Sequence, residues 1–295
     1  SSYLDINNNL IIPSGIDSFI SEVVSKQFAV SNQDFNSINY LNDRKNRLTS
    51  NNLIIGSSFS FSNKSRKNMY DNEFSEFKLK IELAGNLTNL TSNLLNVSKD
   101  EFGKNKVLGL TYSQFLKTET GYIKHWPIGL NSIIAFRSFF GIAIPFGNSN
   151  NIPFSKSFFA GGSNDNRAWE VYRLGPGSSE ALSEFNEANM KIAMNIEYRF
   201  KILGKLDGAL FTDIGNIWNV FDDTKDSKRT FSSLRDLDEI AIGSGIGLRY
   251  NIGYFVLRLD MGLKTYNPVL ETNKRWLTDF NLKKAVFNIG LNYPF

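Results

Sequence analysis

The chain has 295 residues, a net charge of +4 and a slightly polar average hydropathy despite 25 phenylalanines, with no cysteine and one histidine. Zero cysteines exclude a disulfide framework and a thiolate metal site, and a lone His125 puts the usual zinc sites out of reach. No apolar run approaches the roughly eighteen residues of a transmembrane helix, and the charge is too mild and evenly spread to argue for nucleic acid.

The N-terminus shows neither an initiator Met nor a basic-then-apolar leader, so the sequence reads as a mature chain or a fragment. Residues 1–13 hold a short apolar stretch, Leu10 to Ile12, that ends at Pro13. Ser14 then stands in an N-cap position before Ile16, Phe19, Ile20, Val23 and Val24, whose spacing predicts a short amphipathic helix over about 15–27. Residues 34–52 are polar and uninformative.

From Leu53 onward the apolar period is two. Leu53, Ile55, Phe59 and Phe61 alternate with small polar residues, and Phe77, Leu79, Ile81 and Leu83 with Lys and Glu. Leu108, Leu110, Tyr112 and Leu116 read as a third strand, Ile134 to Ile144 as a fourth. After a long connection, Ile192 to Phe200 set one apolar face against Lys191, Asn195, Glu197 and Arg199. Leu210, Thr212 and Ile214 lie opposite Ala209, Phe211, Asp213 and Gly215. Ile240 to Tyr250 alternate with glycines and Arg249; Phe255 to Leu263 alternate with Arg258, Asp260 and Gly262. Phe287, Ile289, Leu291, Tyr293 and Phe295 form the outward row of a last strand that carries Gly290 on its other face.

Nine strands of this kind, each with one apolar and one charged or small face, mark an all-β fold and an antiparallel transmembrane β-barrel. A soluble sandwich alternates too, but with shorter strands. Tight connections at 201–205 and 251–253 alternate with long ones at 147–188, 219–238 and 267–282, the pattern of periplasmic turns and extracellular loops. Parity from a periplasmic C-terminus places loop 147–188 and the segment 1–51 on the outside, giving an N-terminal segment 1–51 and a barrel over 52–295.

The connection of about forty residues contains FSKSFFAGGSNDNRAWEVYRLGPG (154–177), too rich in glycine and aromatics to be a floppy linker. Together with Phe-x-Asp-x-Gly at Phe211, Asp213 and Gly215, it resembles the signature loop and strand motif of the BamA/TamA superfamily of outer-membrane assembly barrels. Arg167 and Trp169 match the loop motif, while Asn166 and Ala168 stand where the family prefers an apolar residue and Gly. The resemblance implies that the loop folds into the lumen and that Arg167 meets the wall, with Asp213 as its partner. Glu197, on the lumen face of the preceding strand, offers a second carboxylate. Gly161, Gly162, Gly175, Pro176 and Gly177 would shape the brace. The family has sixteen strands, so the nine here would be the C-terminal part of such a barrel. The terminal pattern Phe287, Ile289, Gly290, Tyr293 and Phe295 resembles the assembly signal of outer-membrane barrels, and Gly290 would weaken that edge.

The implied role is assembly or translocation of client proteins at the bacterial outer membrane, without nucleotide or cofactor. Its partners would be outer-membrane lipids and lipopolysaccharide, client proteins and accessory subunits. The alternative from another class is a passive, porin-like channel, with loop 147–188 as the constriction and Arg137, Arg199, Arg249 and Arg258 setting selectivity. No active site is visible. His125 reads as an interfacial residue in a short polar turn, with no triad pattern near it. The Asp222–Asp226 cluster reads as a solvated outer loop, and Asp213 with Glu197 would be held ionised by Arg167 and unfit as a glycosidase pair.

Overall fold

An extended chain sends successive side chains to opposite faces, and where the period of two is sustained this sequence forms long strands. The computed structural model describes residues 3–4, 10–11, 51–68, 71–94, 97–100, 103–180, 186–224, 226–293 and 295. The chain divides into two compact units, residues 1–51 and 52–295. In the first, β1 (Tyr3–Leu4) pairs antiparallel with β2 (Leu10–Ile11). The helix expected over 15–27 lies outside the described residues.

The second unit begins with β3 (Asn52–Leu53), β4 (Gly56–Lys64), β5 (Phe74–Ala84) and helix α1 (Asn86–Leu94). It continues through β6 (Lys106–Val107), β7 (Leu110–Tyr112), β8 (Phe115–Pro127) and β9 (Ser132–Pro145). After the long loop come β10 (Met190–Leu203), β11 (Leu206–Trp218), β12 (Ala241–Asn251), β13 (Val256–Tyr266) and β14 (Val286–Leu291). Nine of these, β4, β5 and β8 to β14, make one antiparallel sheet whose spatial order follows the chain; β3, β7 and β6 form a small second sheet. Most strands of the large sheet run 9 to 14 residues, the length a tilted membrane-spanning strand needs. It is a partial barrel wall: β4 and β14 stand at the two ends of its order.

The two faces differ as the alternation demands. One exposes Phe59, Phe77, Tyr198, Leu210, Ile246, Leu259 and Phe287; the other buries Lys191, Asn195, Glu197, Arg199, Asp213, Arg249, Arg258 and Asp260. Connections 65–73, 128–131, 204–205 and 252–255 close one end of the sheet, the turn end. Much longer ones, 85–114, 146–189, 219–240 and 267–285, close the other, the loop end. The main apolar core lies at the loop end. There Ile152, Phe158, Ala160, Ala168, Trp169 and Leu174 of loop 146–189 pack on Phe115, Ala143, Ile217 and Ala241 of the wall.

Three expectations are corrected. The third long strand is Phe115–Pro127, not 108–116, whose first residues belong to the small sheet. Thr118, Thr120 and Lys124 on its outward face hide the alternation. His125 therefore sits near the end of a strand, buried and packed against Phe74 with ring centroids 4.3 Å apart and the rings tilted by 37°, rather than in a turn. The last strand ends at Leu291, because Asn292 takes a left-handed φ of 63°. Tyr293 and Phe295 consequently leave the outward row, and the Arg199 guanidinium lies 4.2 Å and 5.6 Å from their ring centres.

Candidate functional site

Loop 146–189 is held on the polar face of the sheet by a turn built around two glycines. Gly161 has φ +93°, and a Cβ there would come within 2.2 Å of the Glu170 carbonyl oxygen. Only glycine tolerates both demands. Its N–H donates to Asp165 Oδ2 at 2.7 Å, and Gly162 N–H donates to the Trp169 carbonyl at 2.8 Å, which closes residues 161–170 into a compact lobe. The second half is pinned by the Gly175-Pro176-Gly177 segment. Gly177 N–H donates to the Ile217 carbonyl at 2.8 Å, and Asn216 Nδ2 donates to the Gly177 carbonyl at 2.8 Å. Trp169 lies buried in the core, with Lys264 Nζ 5.3 Å from its ring centre.

Arg167 stands at the tip of the lobe and is 1% exposed. Its Nε and Nη2 donate to the two oxygens of Asp213, each at 2.8 Å, and its own backbone N–H donates to Asp213 Oδ2 at 3.0 Å. Nη1 donates to Glu197 Oε2 at 2.5 Å and lies 3.6 Å from Asp260 Oδ2. The guanidinium carbon sits 3.5 Å from the centre of the Phe211 ring, and Asn288 Nδ2 donates to the Arg167 carbonyl at 3.0 Å. A single loop residue thus touches β10, β11, β13 and β14. A planar guanidinium suits such a junction because it offers five donors in a fixed fork and stacks on an aromatic face.

The wall makes room for it. A Cβ on Gly243 of β12 would come within 2.5 Å of Ala168 Cβ, and one on Gly262 of β13 within 2.3 Å of the Arg167 carbonyl oxygen. Gly215 lies against Ile192 and Ala193 of β10 and touches no loop atom among its near neighbours. Gly290 faces Arg258, whose Nη2 would stand 2.5 Å from a Cβ there. Its missing side chain accommodates that guanidinium, a reason for glycine that differs from a weakened edge. Phe287 and Ile289 point outward and exposed, away from the cluster.

Around Arg167 the ion pairs extend further than the sequence indicated. Arg199 Nε meets Glu197 Oε1 at 2.8 Å, and Arg249 bridges Glu197 at 3.1 Å and Asp260 at 2.5 Å. Arg258 Nε lies 3.3 Å from Asp260 Oδ2, and Lys191 pairs with Asp165 at 2.9 Å. Asn195 Nδ2 donates both to Asp213 Oδ1 and to the Asp165 carbonyl. Asp260, Asn195 and Asn288 were not singled out by sequence reasoning. Alternation puts them on the polar face, but only the register across five strands shows that they converge. Arg199, Arg249 and Arg258 are buried in these pairs instead of lining an open solute path; Arg137 donates to the Asn164 carbonyl at 2.7 Å. Glu197, Asp213 and Asp260 each face arginine, so none of the three is placed as a general acid. Among the described residues, no group of three or more His, Cys, Asp and Glu side chains could hold a metal ion.

Comparison with known protein families gives one family match. The model of the Omp85 superfamily domain matches residues 20–291. No curated protein is matched. Among solved structures the chain is similar to BamA from Haemophilus ducreyi lacking POTRA domains 1-3, with 13% identity and a TM-score of 0.44 over 81% of this chain and 53% of that one. The chain therefore spans about half the length of that relative.

Proposed function

The chain belongs to the Omp85 superfamily of bacterial outer-membrane β-barrels, whose members serve protein assembly and translocation, and from that premise we propose that it is such a factor, with loop 146–189 as a brace inside the barrel. The carrying observation is Arg167, which gathers Asp213, Glu197 and Asp260 from three strands onto one guanidinium. A wall that opens or thins to pass a client needs an internal strut that keeps its remaining strands in register. A buried ion cluster whose central guanidinium donates from Nε, Nη1 and Nη2 to Asp213 and Glu197 supplies one without nucleotide, cofactor or covalent step. The turn end, where the connections are short, faces the periplasm in this reading, and the long loops face outward. Client proteins, accessory subunits and the lipids and lipopolysaccharide of the membrane are its proposed partners. The Phe287–Phe295 segment would serve as the chain's own assembly signal.

Reversing the pair tests the proposal. Arg167→Asp and Asp213→Arg are each expected to reduce heat-modifiable mobility of the barrel and the cellular level of other outer-membrane proteins. The double variant is expected to recover part of both. Single variants that leave both readouts at parental values would remove the brace from the mechanism. A change confined to ion selectivity would favour the channel.

A further inference from the structure

Helix α1, which follows β5 at the loop end, is inside out for a water-facing helix. Such a helix turns its apolar residues to the core. Here Thr88 and Ser92 are buried, 4% and 2% exposed, whereas Leu87 and Leu90 are 65% and 58% exposed. The polar side is built to be inside. Thr88 Oγ1 donates to the Gly85 carbonyl at 3.0 Å, Ser92 Oγ meets the Tyr112 hydroxyl at 3.0 Å, and that hydroxyl donates to Asn89 Oδ1 at 2.9 Å. Tyr112 itself is buried in β7. These bonds fix the rotation of the helix, so the leucines cannot turn inward without breaking them.

The exposed leucines follow, within a few residues of chain, an apolar surface already in place. Leu83 of β5 and Leu116 of β8 are register partners at the loop end of the outward face, both exposed, above Ile81, Phe77 and Tyr122. Leu87 follows Leu83 by one helical turn's worth of chain, and Leu90 shares its face at i+3. The hairpin that carries Tyr112 adds Leu108, which is 90% exposed. We propose that α1 is an interfacial helix seated in the lipid leaflet at the loop end, with Leu87 and Leu90 at the acyl boundary and its hydroxyl face tied to the small loop-end sheet through Tyr112. The occupant of the leucine face is the lipid acyl surface, because the chain passes into this helix directly from the exposed Leu83 at the loop end of the wall's apolar face, and an unpartnered apolar face there meets the same surroundings.

The chain has no cysteine, so single spin labels can be placed cleanly. Leu87→Cys and Leu90→Cys would be labelled in the barrel reconstituted into phospholipid bilayers. Ile246→Cys on the outward face and Lys78→Cys on the polar face serve as references, both exposed. Collisions with oxygen and with a water-soluble nickel chelate report the surroundings. The expected oxygen-to-nickel ratio at both leucine sites is several-fold above that at Lys78 and close to that at Ile246. A ratio like that of Lys78 means water, and exclusion of both relaxants means a protein partner or second copy; either result overturns the inference. An Ile246 label without the lipid signature would instead refute the membrane placement of the wall itself.

Discussion

Asp213→Asn isolates the charge at the centre of the cluster while keeping its shape. In the native arrangement Oδ2 accepts from the backbone N–H and Nε of Arg167, and Oδ1 accepts from Arg167 Nη2 and Asn195 Nδ2. An amide retains one acceptor and turns the other position into a donor. Arginine has donors only, so either orientation of the amide loses two of these four bonds and sets N–H against N–H. Removing one partner of a buried ion pair costs about 3–5 kcal/mol. Glu197 and Asp260 still face the guanidinium, which points to the lower end, about 3 kcal/mol. Every 1.4 kcal/mol is a tenfold change, so opening of the loop should rise on the order of 100-fold. Protease cleavage within residues 146–189, measured where opening and closing are fast relative to cutting, reads that equilibrium directly. The reference is Glu119→Gln, whose ion pair with Lys117 at 3.0 Å lies on the same face outside the cluster and carries about 1 kcal/mol or less. If Asp213→Asn cleaves no faster than Glu119→Gln, the loop is not held by this charge.

Gly262→Ala should expel the loop by sterics alone, since its Cβ would reach the Arg167 carbonyl oxygen; about 1–3 kcal/mol and faster cleavage are expected, whereas Gly121→Ala, with no neighbour closer than 3.9 Å, should match the parent. Phe211→Leu removes the ring beneath the guanidinium and should cost about 0.5–2 kcal/mol in the same assay, less than Asp213→Asn. Loop 267–285 should loosen in acid. Burial pushes the Asp279 carboxyl up, but hydrogen bonds from Lys284 and Asn267 outweigh it and hold the group below the usual carboxylate range. Its contribution is therefore present above the unfolded value of about 3.9 and is lost as pH falls below that towards the folded value. The hydrogen-exchange protection factor at Leu277, whose N–H donates to the Thr265 carbonyl, should fall over that range, and Asp279→Asn should flatten the response.

The parts of the wall that were legible in the sequence are those where one face is apolar and the other charged. Between Lys191 and Gly262 each strand carries that contrast, and the polar face of the structure is the one alternation assigns to Glu197, Asp213 and Arg249. Where both faces are mixed, the pattern fails. In β8, Ile123 points to the polar side and Lys124 to the apolar one, so a thirteen-residue strand reads as a turn. Helix α1 escaped notice because its leucines are set among Asn, Thr and Ser, residues that favour turns and caps over helix interiors. The end of β14 depends on one left-handed residue, Asn292, which no hydropathy pattern encodes. Asp260 is a different kind of omission. It lies 47 residues beyond Asp213, and its approach to Arg167 depends on the relative registers of β11, β12 and β13.

Those registers explain why so much charge is buried in a membrane wall. A strand that slips by one residue exchanges its two faces. For β11 such a slip would carry Asp213 to the apolar side and bring Thr212 or Ile214 inward, a change the lipid already opposes. A slip of two residues keeps every face and meets no such penalty. It does, however, move each side chain about 6.6 Å along the strand, twice the rise per residue. That is more than twice the 2.8 Å that separates Arg167 from Asp213. The pleat therefore guards against odd slips and the arginine against even ones. Because Glu197, Asp213, Asp260 and Asn288 lie on four different strands, one guanidinium and its carbonyl check all of those registers together.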